Sequence, residues 1–301
     1  MYPLKLKYFP KTALWGGSRL KNKWNKPCDY DKLAETWELT VRPDAVNTII
    51  NGSLAGKTLD EFVGGEKFPL LIKFIDAEDR LSVQVHPDDA FASEVENDVG
   101  KTEMWYIADA EDGAEIIYGI KDGVENLSCN ADIENQVKFI KVKKGDSFFI
   151  PSGMLHAIGK GCLIAEIQQN SDLTYRVYDY ERRDAAGKLR ELHTDKALKV
   201  IRGFADSEVD AIRFSQPDKI GVGECLASCE YFNVNRVRLE NSKVCVKTEV
   251  AFHSVLCVEG DGKIICRGET YDFQKGDSYY IPAEIEQYEL VGNGTVLISR
   301  A

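Results

Sequence analysis

The chain has 301 residues, 44% of them apolar and 29% charged, with a net charge of −11. Those proportions belong to a globular protein long enough for two domains. The acidic balance excludes broad binding to nucleic acid or an anionic membrane, which needs a basic face, but leaves room for a small anionic substrate held by a few lysines and arginines in a cleft.

The opening MYPLKLKYFPKTALWGG lacks a signal peptide's apolar core and is not an Arg- and Ser-rich import leader. No apolar run nears the ~18 residues of a membrane span, so a cytoplasmic location is expected. Trp15-Gly16-Gly17 reads as a tight turn beside a core tryptophan, and TLDEFVG (58–64) as a short helix. Short apolar runs follow at FPLLIKFIDA (68–77), RLSVQVHP (80–87), EMWYIADA (103–110), AEIIYGI (114–120), VKFIKVKKGD (137–146), SFFIP (147–151) and CLIAEIQQ (162–169). Their close spacing, with turn residues between, predicts an all-β sandwich or barrel. PDDAFASEVEND (87–98) and TDKALKVIRGF (194–204) read as helices, the second capped by Thr194 or Asp195 and stopped by Gly203.

Beyond Phe204 the strands resume at 229–239, 243–250, 254–266 and 295–300. Here the chain repeats itself. Gly145-Asp-Ser-Phe-Phe-Ile-Pro151 and Gly276-Asp-Ser-Tyr-Tyr-Ile-Pro282 differ only by Phe-to-Tyr changes, and lysine precedes both. Two related β domains are therefore expected, residues 1–205 with helical insertions and 206–301 without the candidate ligands, packed together with no low-complexity linker. The eight cysteines include no C-x-x-C pair and read as reduced thiols.

In a strand through Ser82-Val-Gln84-Val-His86, alternate residues share a face, so Ser82, Gln84 and His86 point one way. Glu103 opens the next strand and His156 follows a P-x-G turn. A lone histidine after a turn is more often structural, yet two of only four histidines fall at these strand edges. The second copy of the turn carries Gln287 where the first carries His156. A turn kept as architecture and an imidazole kept for chemistry would give that pattern. The nitrogen and oxygen donors suit Zn²⁺, with Mn²⁺, Fe²⁺ or Co²⁺ also admitted, and leave positions for substrate or water.

The stretch Gly145–His156 resembles the second cupin motif, with Lys160 where that motif has asparagine. Together with FPKTALWGGSRL, LSVQVHPDD, GKTEMWYI and QQNSDLTYRVYDYERR, it is similar to type I mannose-6-phosphate isomerases in their short bacterial form. The resemblance implies two cupin-type jelly-roll domains with helical excursions in the first. It implies zinc held by Gln84, His86, Glu103 and His156, an essential Arg176, and an acidic active-site residue at Glu166. Ser82, Lys73 and Lys101 match positions lining the substrate site and its phosphate end, and Arg182 is a looser match for the phosphate.

The implied reaction interconverts D-mannose 6-phosphate and D-fructose 6-phosphate through a cis-enediol. Glu166 is the first candidate base, needing a pKa raised toward neutrality, which burial favours and a metal would oppose, with Lys101 and a metal-bound water as competitors. Apart from the resemblance, Arg176 and Arg182 read as a solvated charged edge and Lys73 and Lys101 as surface lysines; His193 and His253 carry no assigned role. The rival functions are a metal-dependent sugar isomerase of other specificity, an iron dioxygenase, which would want more imidazoles, and a non-catalytic sugar-phosphate-binding or storage cupin. A monomer or homodimer acting on a small sugar phosphate is the expected form.

Overall fold

The computed structural model describes residues 1–64, 68–124, 126–184 and 186–301. The predicted all-β class is what it shows. Among those residues a six-stranded sheet runs in the order 147–150, 103–110, 162–169, 70–76, 35–39, 9–11, and a five-stranded sheet in the order 137–141, 115–120, 156–158, 83–85, 175–178. They belong to the N-terminal half, and their inner faces carry the candidate residues. An eight-stranded sheet contains the long strands Asn233–Lys247, His253–Cys266 and Gln287–Arg300 of the C-terminal half.

Strand Leu4–Lys7 joins this last sheet, with Leu4 opposite Tyr280, so the chain's beginning is built into its C-terminal half. One buried cluster accordingly runs through both halves, from Leu4, Leu6 and Phe149 to Phe232, Leu256 and Leu297. A second cluster, including Val255, Ile264, Tyr288 and Ile298, fills the C-terminal half alone.

The repeated turn is duplicated down to its hydrogen bonds. Gly145 and Gly276 have φ of 94° and 92°, in the left-handed region that favours glycine. Asp146 accepts from Lys143 N at 2.9 Å and Asp277 from Gln274 N at 3.0 Å. Gly145 N donates to Ile107 O and Gly276 N to Cys257 O, at 2.8 and 2.9 Å.

The expected helices form at Leu59–Val63, Asp89–Glu96 and Thr194–Val200. The first has a capping box of Thr58 and Glu61, and the second is capped by Asp88. The third begins after His193, not Thr194 or Asp195, and ends at Ile201 before reaching Gly203, because Ile201 is already extended (ψ 132°). Helices Arg19–Lys23 and Asp206–Arg213 were not predicted. The expected strands 229–239 and 243–250 are one strand, Asn233–Lys247, with an irregularity rather than a turn between Glu240 and Ser242. All eight cysteines are free thiols. No helix among the described residues is long and apolar enough to cross a membrane.

The Trp15-Gly16-Gly17 turn does more than bury its tryptophan. A Cβ on Gly17 would lie 2.5 Å from the Asp76 carboxylate, and this close approach delivers Arg19 to that carboxylate. Arg19 Nε donates to Asp76 Oδ1 at 2.7 Å while Nη1 and Nη2 donate to Gly161 O and Cys162 O, each at 2.8 Å. The planar fork thus pins the ends of two neighbouring strands, 70–76 and 162–169, that carry Lys73 and Glu166.

Candidate metal centre

Residues opposite each other on antiparallel strands point to the same side of the sheet. Across the five-stranded sheet, Tyr118 lies opposite His156, His156 opposite Gln84, and Gln84 opposite Arg176. Across the six-stranded sheet, Lys73 lies opposite Glu166 and Glu166 opposite Trp105, while the next row pairs Gln168 with Glu103. These polar rows face one another between the sheets. His86 Nε2 is 3.6 Å and His156 Nε2 3.5 Å from the two Glu103 oxygens. One donor atom from each of the three residues lies within 4.8 Å of the other two, and all three side chains are fully buried. The imidazoles can touch one atom.

Both imidazoles are preset. His86 Nδ1 is 2.7 Å from Leu173 O and His156 Nδ1 2.9 Å from Met154 O. Since a carbonyl only accepts, Nδ1 carries the proton in each ring and Nε2 presents a lone pair to the cluster. Burial, chiefly, lowers the pKa of both, His86 well below the ordinary value and His156 to about 4, so they stay neutral. Gln84 borders the same group: its Nε2 lies 3.5 Å from His156 Nε2 while its Oε1 accepts from Ser82 Oγ at 3.3 Å, so an amide turned over would present the oxygen to the cluster.

Glu103 Oε2 is paired with Lys101 Nζ at 2.7 Å, and no other hydrogen-bond donor reaches either of its oxygens. Burial and the nearby Glu166 carboxylate push the Glu103 pKa up. A buried carboxylate held by one lysine beside a second carboxylate is costly, and a cation shared with two imidazole lone pairs would relieve that cost. The donor set therefore fits a divalent metal of the zinc type.

Glu166 behaves in the opposite way. Burial raises its pKa, but Lys101 at 3.7 Å, Lys73 at 3.5 Å and a 3.0 Å hydrogen bond from Trp105 Nε1 more than offset this, and the net shift is downward. The elevation toward neutrality expected for this residue is absent, because two ammonium groups reach it.

Lys101 lies among the ligands, 3.2 Å from His86 Nε2. Lys73 is buried against Glu35, Glu166 and Asp172 at 3.5–3.8 Å, partners that keep its pKa raised despite burial. Neither is an ordinary surface lysine. Arg176 shares the inner face through its register with Gln84; its Nη1 donates to Glu191 O at 2.8 Å and its buried Nε has no partner. Arg182 contacts Asp179 (3.1 Å) and Arg80 O (2.7 Å) and has none of the three cluster residues among its polar partners.

Trp105, Gln168 and Glu35 were missed. Trp105 is fully buried, packs edge-on against His156 at 5.4 Å and bonds Glu166. Its position two residues after Glu103 on one strand was the available signal.

The C-terminal half shows what became of the same position. Ile150 lies opposite Glu103, and the matching Ile281 lies opposite His253, so the histidine assigned no role stands where the first half has Glu103. Gln287 is exposed and paired with Lys247, while the adjacent Tyr288 turns inward to meet His253 Nδ1 at 3.0 Å. Burial and the Arg300 charge lower the His253 pKa to about 3. The unfolded chain, with a pKa of ~6.5, takes up this proton first, so stability is full above about pH 6.5 and falls toward pH 3 by at most about 1.4 kcal/mol per unit. Acid titration of stability should therefore be shallower in His253→Gln than in the parent; identical slopes between pH 6 and 4 would refute this.

Paired β sheets enclosing a buried His-Glu-His cluster, beside a second half built on the same turn, define a double cupin with a candidate metal centre. Two family models match the chain, "Phosphomannose isomerase type I, catalytic domain" over residues 4–122 and "Mannose-6-phosphate isomerase, cupin domain" over 224–301. The chain belongs to the type I mannose-6-phosphate isomerase family. It is 37% identical to mannose-6-phosphate isomerase ManA of Bacillus subtilis, over 99% of this chain and 98% of that one. It is 36% identical to the mannose-6-phosphate isomerase of Streptococcus mutans, over 99% and 98%. The crystal structure of the mannose 6-phosphate isomerase from B. subtilis superposes with a TM-score of 0.87 at 32% identity, covering 100% of both chains.

Proposed function

We propose that this protein interconverts D-mannose 6-phosphate and D-fructose 6-phosphate through a cis-enediol, using a zinc ion held by Gln84, His86, Glu103 and His156; manganese, iron or cobalt would suit the same donors. The observation that carries the reading is the buried cluster of two preset imidazoles and a carboxylate, in a chain of this family. When bound, a divalent ion supplies Lewis-acid stabilisation of charge on the two reacting sugar oxygens.

The chain's own residues supply the rest. Isomerisation moves one proton from C2 to C1 and another from O2 to O1. Glu166, kept ionised by its lysines, accepts the C2 proton and returns it to C1. Lys101 donates to the sugar oxygens and carries the oxygen-bound proton between them. Arg176, charged at all working pH values, faces the developing enediolate from the opposite sheet. Ser82 and Lys73 line the substrate site and its phosphate end, with Arg182 toward the phosphate, whose binding energy places the reacting carbons.

In this reading residues 1–205 form the catalytic domain and 206–301 the degenerate one. The protein works in the cytoplasm as a monomer or homodimer, with neither nucleic acid nor membrane as partner.

A coupled assay with mannose 6-phosphate, glucose 6-phosphate, mannose and ribose 5-phosphate tests this, run before and after chelation and after adding zinc back. Turnover of mannose 6-phosphate above the others, lost to chelator and restored by zinc, is expected. Binding of mannose 6-phosphate without turnover would mean a sensing cupin, and activity indifferent to chelation would end the metal assignment.

A further inference from the structure

The stretches HPDD and GKTE recur in the resemblance, yet the site uses only His86, Lys101 and Glu103 from them. The structure shows that they are locked together. A Cβ on Gly100 would lie 2.5 Å from the Asp88 carbonyl carbon and 2.6 Å from Asp89 N, so the two backbones meet at a point open only to glycine. Lys101 N donates to Pro87 O at 3.0 Å. Asp89 Oδ1 accepts both from Gly100 N at 2.8 Å and from Gln169 Nε2 at 3.0 Å. Gln169, itself buried, accepts from Thr102 N through its Oε1 at 2.8 Å, and its backbone N donates to Thr102 O at 3.1 Å.

Glu103 is held by sheet pairing on both sides, to Ile150 and to Gln168. Lys101 precedes the strand and has no such ladder. Its backbone is placed by Pro87 and by the bonds that Asp89 and Gln169 make to residues 100 and 102 on either side of it. We infer that Asp89 and Gln169 form a clasp that positions Lys101 over the metal cluster, and that they act on the reaction through Lys101 alone. This rests on the proposed catalytic role of Lys101. Asp89 and Gln169 are positioning residues, since neither reaches the cluster.

Turnover, KM, metal content and melting temperature of D89A, Q169E, K101A and their combinations test it. Q169E keeps an acceptor for Thr102 N but sets a carboxylate against Asp89, and serves if D89A folds poorly. D89A and Q169E should each lower kcat about ten- to a hundredfold, the scale of a small misplacement of a reacting group. KM and bound metal should stay near the parent's. D89N, which retains an acceptor for Gly100 N, should recover most of the loss, and D89N/Q169E should outperform Q169E by restoring a donor and an acceptor to the contact. In a K101A background, D89A should change nothing further.

A D89A loss of equal size in the K101A background, or unaltered turnover in both D89A and Q169E, would overturn the clasp. Loss of bound metal in both single variants would overturn it as well, moving the defect to Glu103. Near-normal turnover of K101A with a large D89A effect would instead remove the role given to Lys101, and the failure of that reading would be visible separately.

Discussion

His156→Gln is expected to lose its metal and about 10³-fold or more of its activity, the several kcal/mol that a Lewis acid contributes to such a step. His156 offers Nε2 to the cluster only because Met154 O holds the proton on Nδ1. An amide at that position offers a weaker oxygen donor and no preset lone pair. The second repeat keeps the turn without an imidazole there: Gln287 is exposed and Tyr288 fills the inward place. The variant should remain folded, because glutamine is close to histidine in volume and its amide N–H can still donate to Met154 O. Its cost in stability should be small, about 1 kcal/mol for the lost aromatic edge contact with Trp105. Elemental analysis and a melting curve on one preparation separate the two effects. Near-stoichiometric metal in a folded variant would remove His156 from the ligand set.

Arg176→Ala should lower kcat about 10²–10³-fold, as removal of a charged donor to a developing oxyanion does, while KM shifts little. The register that pairs Arg176 with Gln84 puts it on the cluster-facing side of the five-stranded sheet, opposite the sheet that carries Glu166. Its Nη1 is tied to Glu191 O, so one edge of the guanidinium is fixed and the remaining N–H groups are free to bind. Arg176→Lys should recover only part of the loss, because a point charge reproduces neither the tether nor the planar fork. Steady-state kinetics on metal-loaded protein decide it: a KM increase with unchanged kcat would make Arg176 a substrate-binding residue.

Much of this was legible in the residues. Ser82, Gln84 and His86 alternate along a strand, Gly145 and Gly276 open matching turns, and Thr58 and Glu61 announce a helix start. Each is a local signal with a period of two or a fixed offset. Other features were hidden for identifiable reasons. Leu4–Lys7 belongs to the sheet of the far half, through pairing with residues some 275 positions away, which no local pattern reports. Lys73 reads as exposed in isolation, and only its carboxylate neighbours make its burial tolerable. As a base Glu166 needs a pKa raised toward neutrality, which burial in its strand favours. Two lysines from other segments reverse the sign.

By itself the amino-acid order determined the strands, their inward faces, the duplicated turn and the set of donor side chains, because backbone preference and side-chain alternation act over a few residues. Only the tertiary structure decided that His86, Glu103 and His156 share one point, which imidazole nitrogen faces it, and that His253 occupies the second half's counterpart of Glu103. Those outcomes depend on sheet register and on carbonyls and charges brought from distant segments, and electrostatics in a buried cluster is set by distance in space.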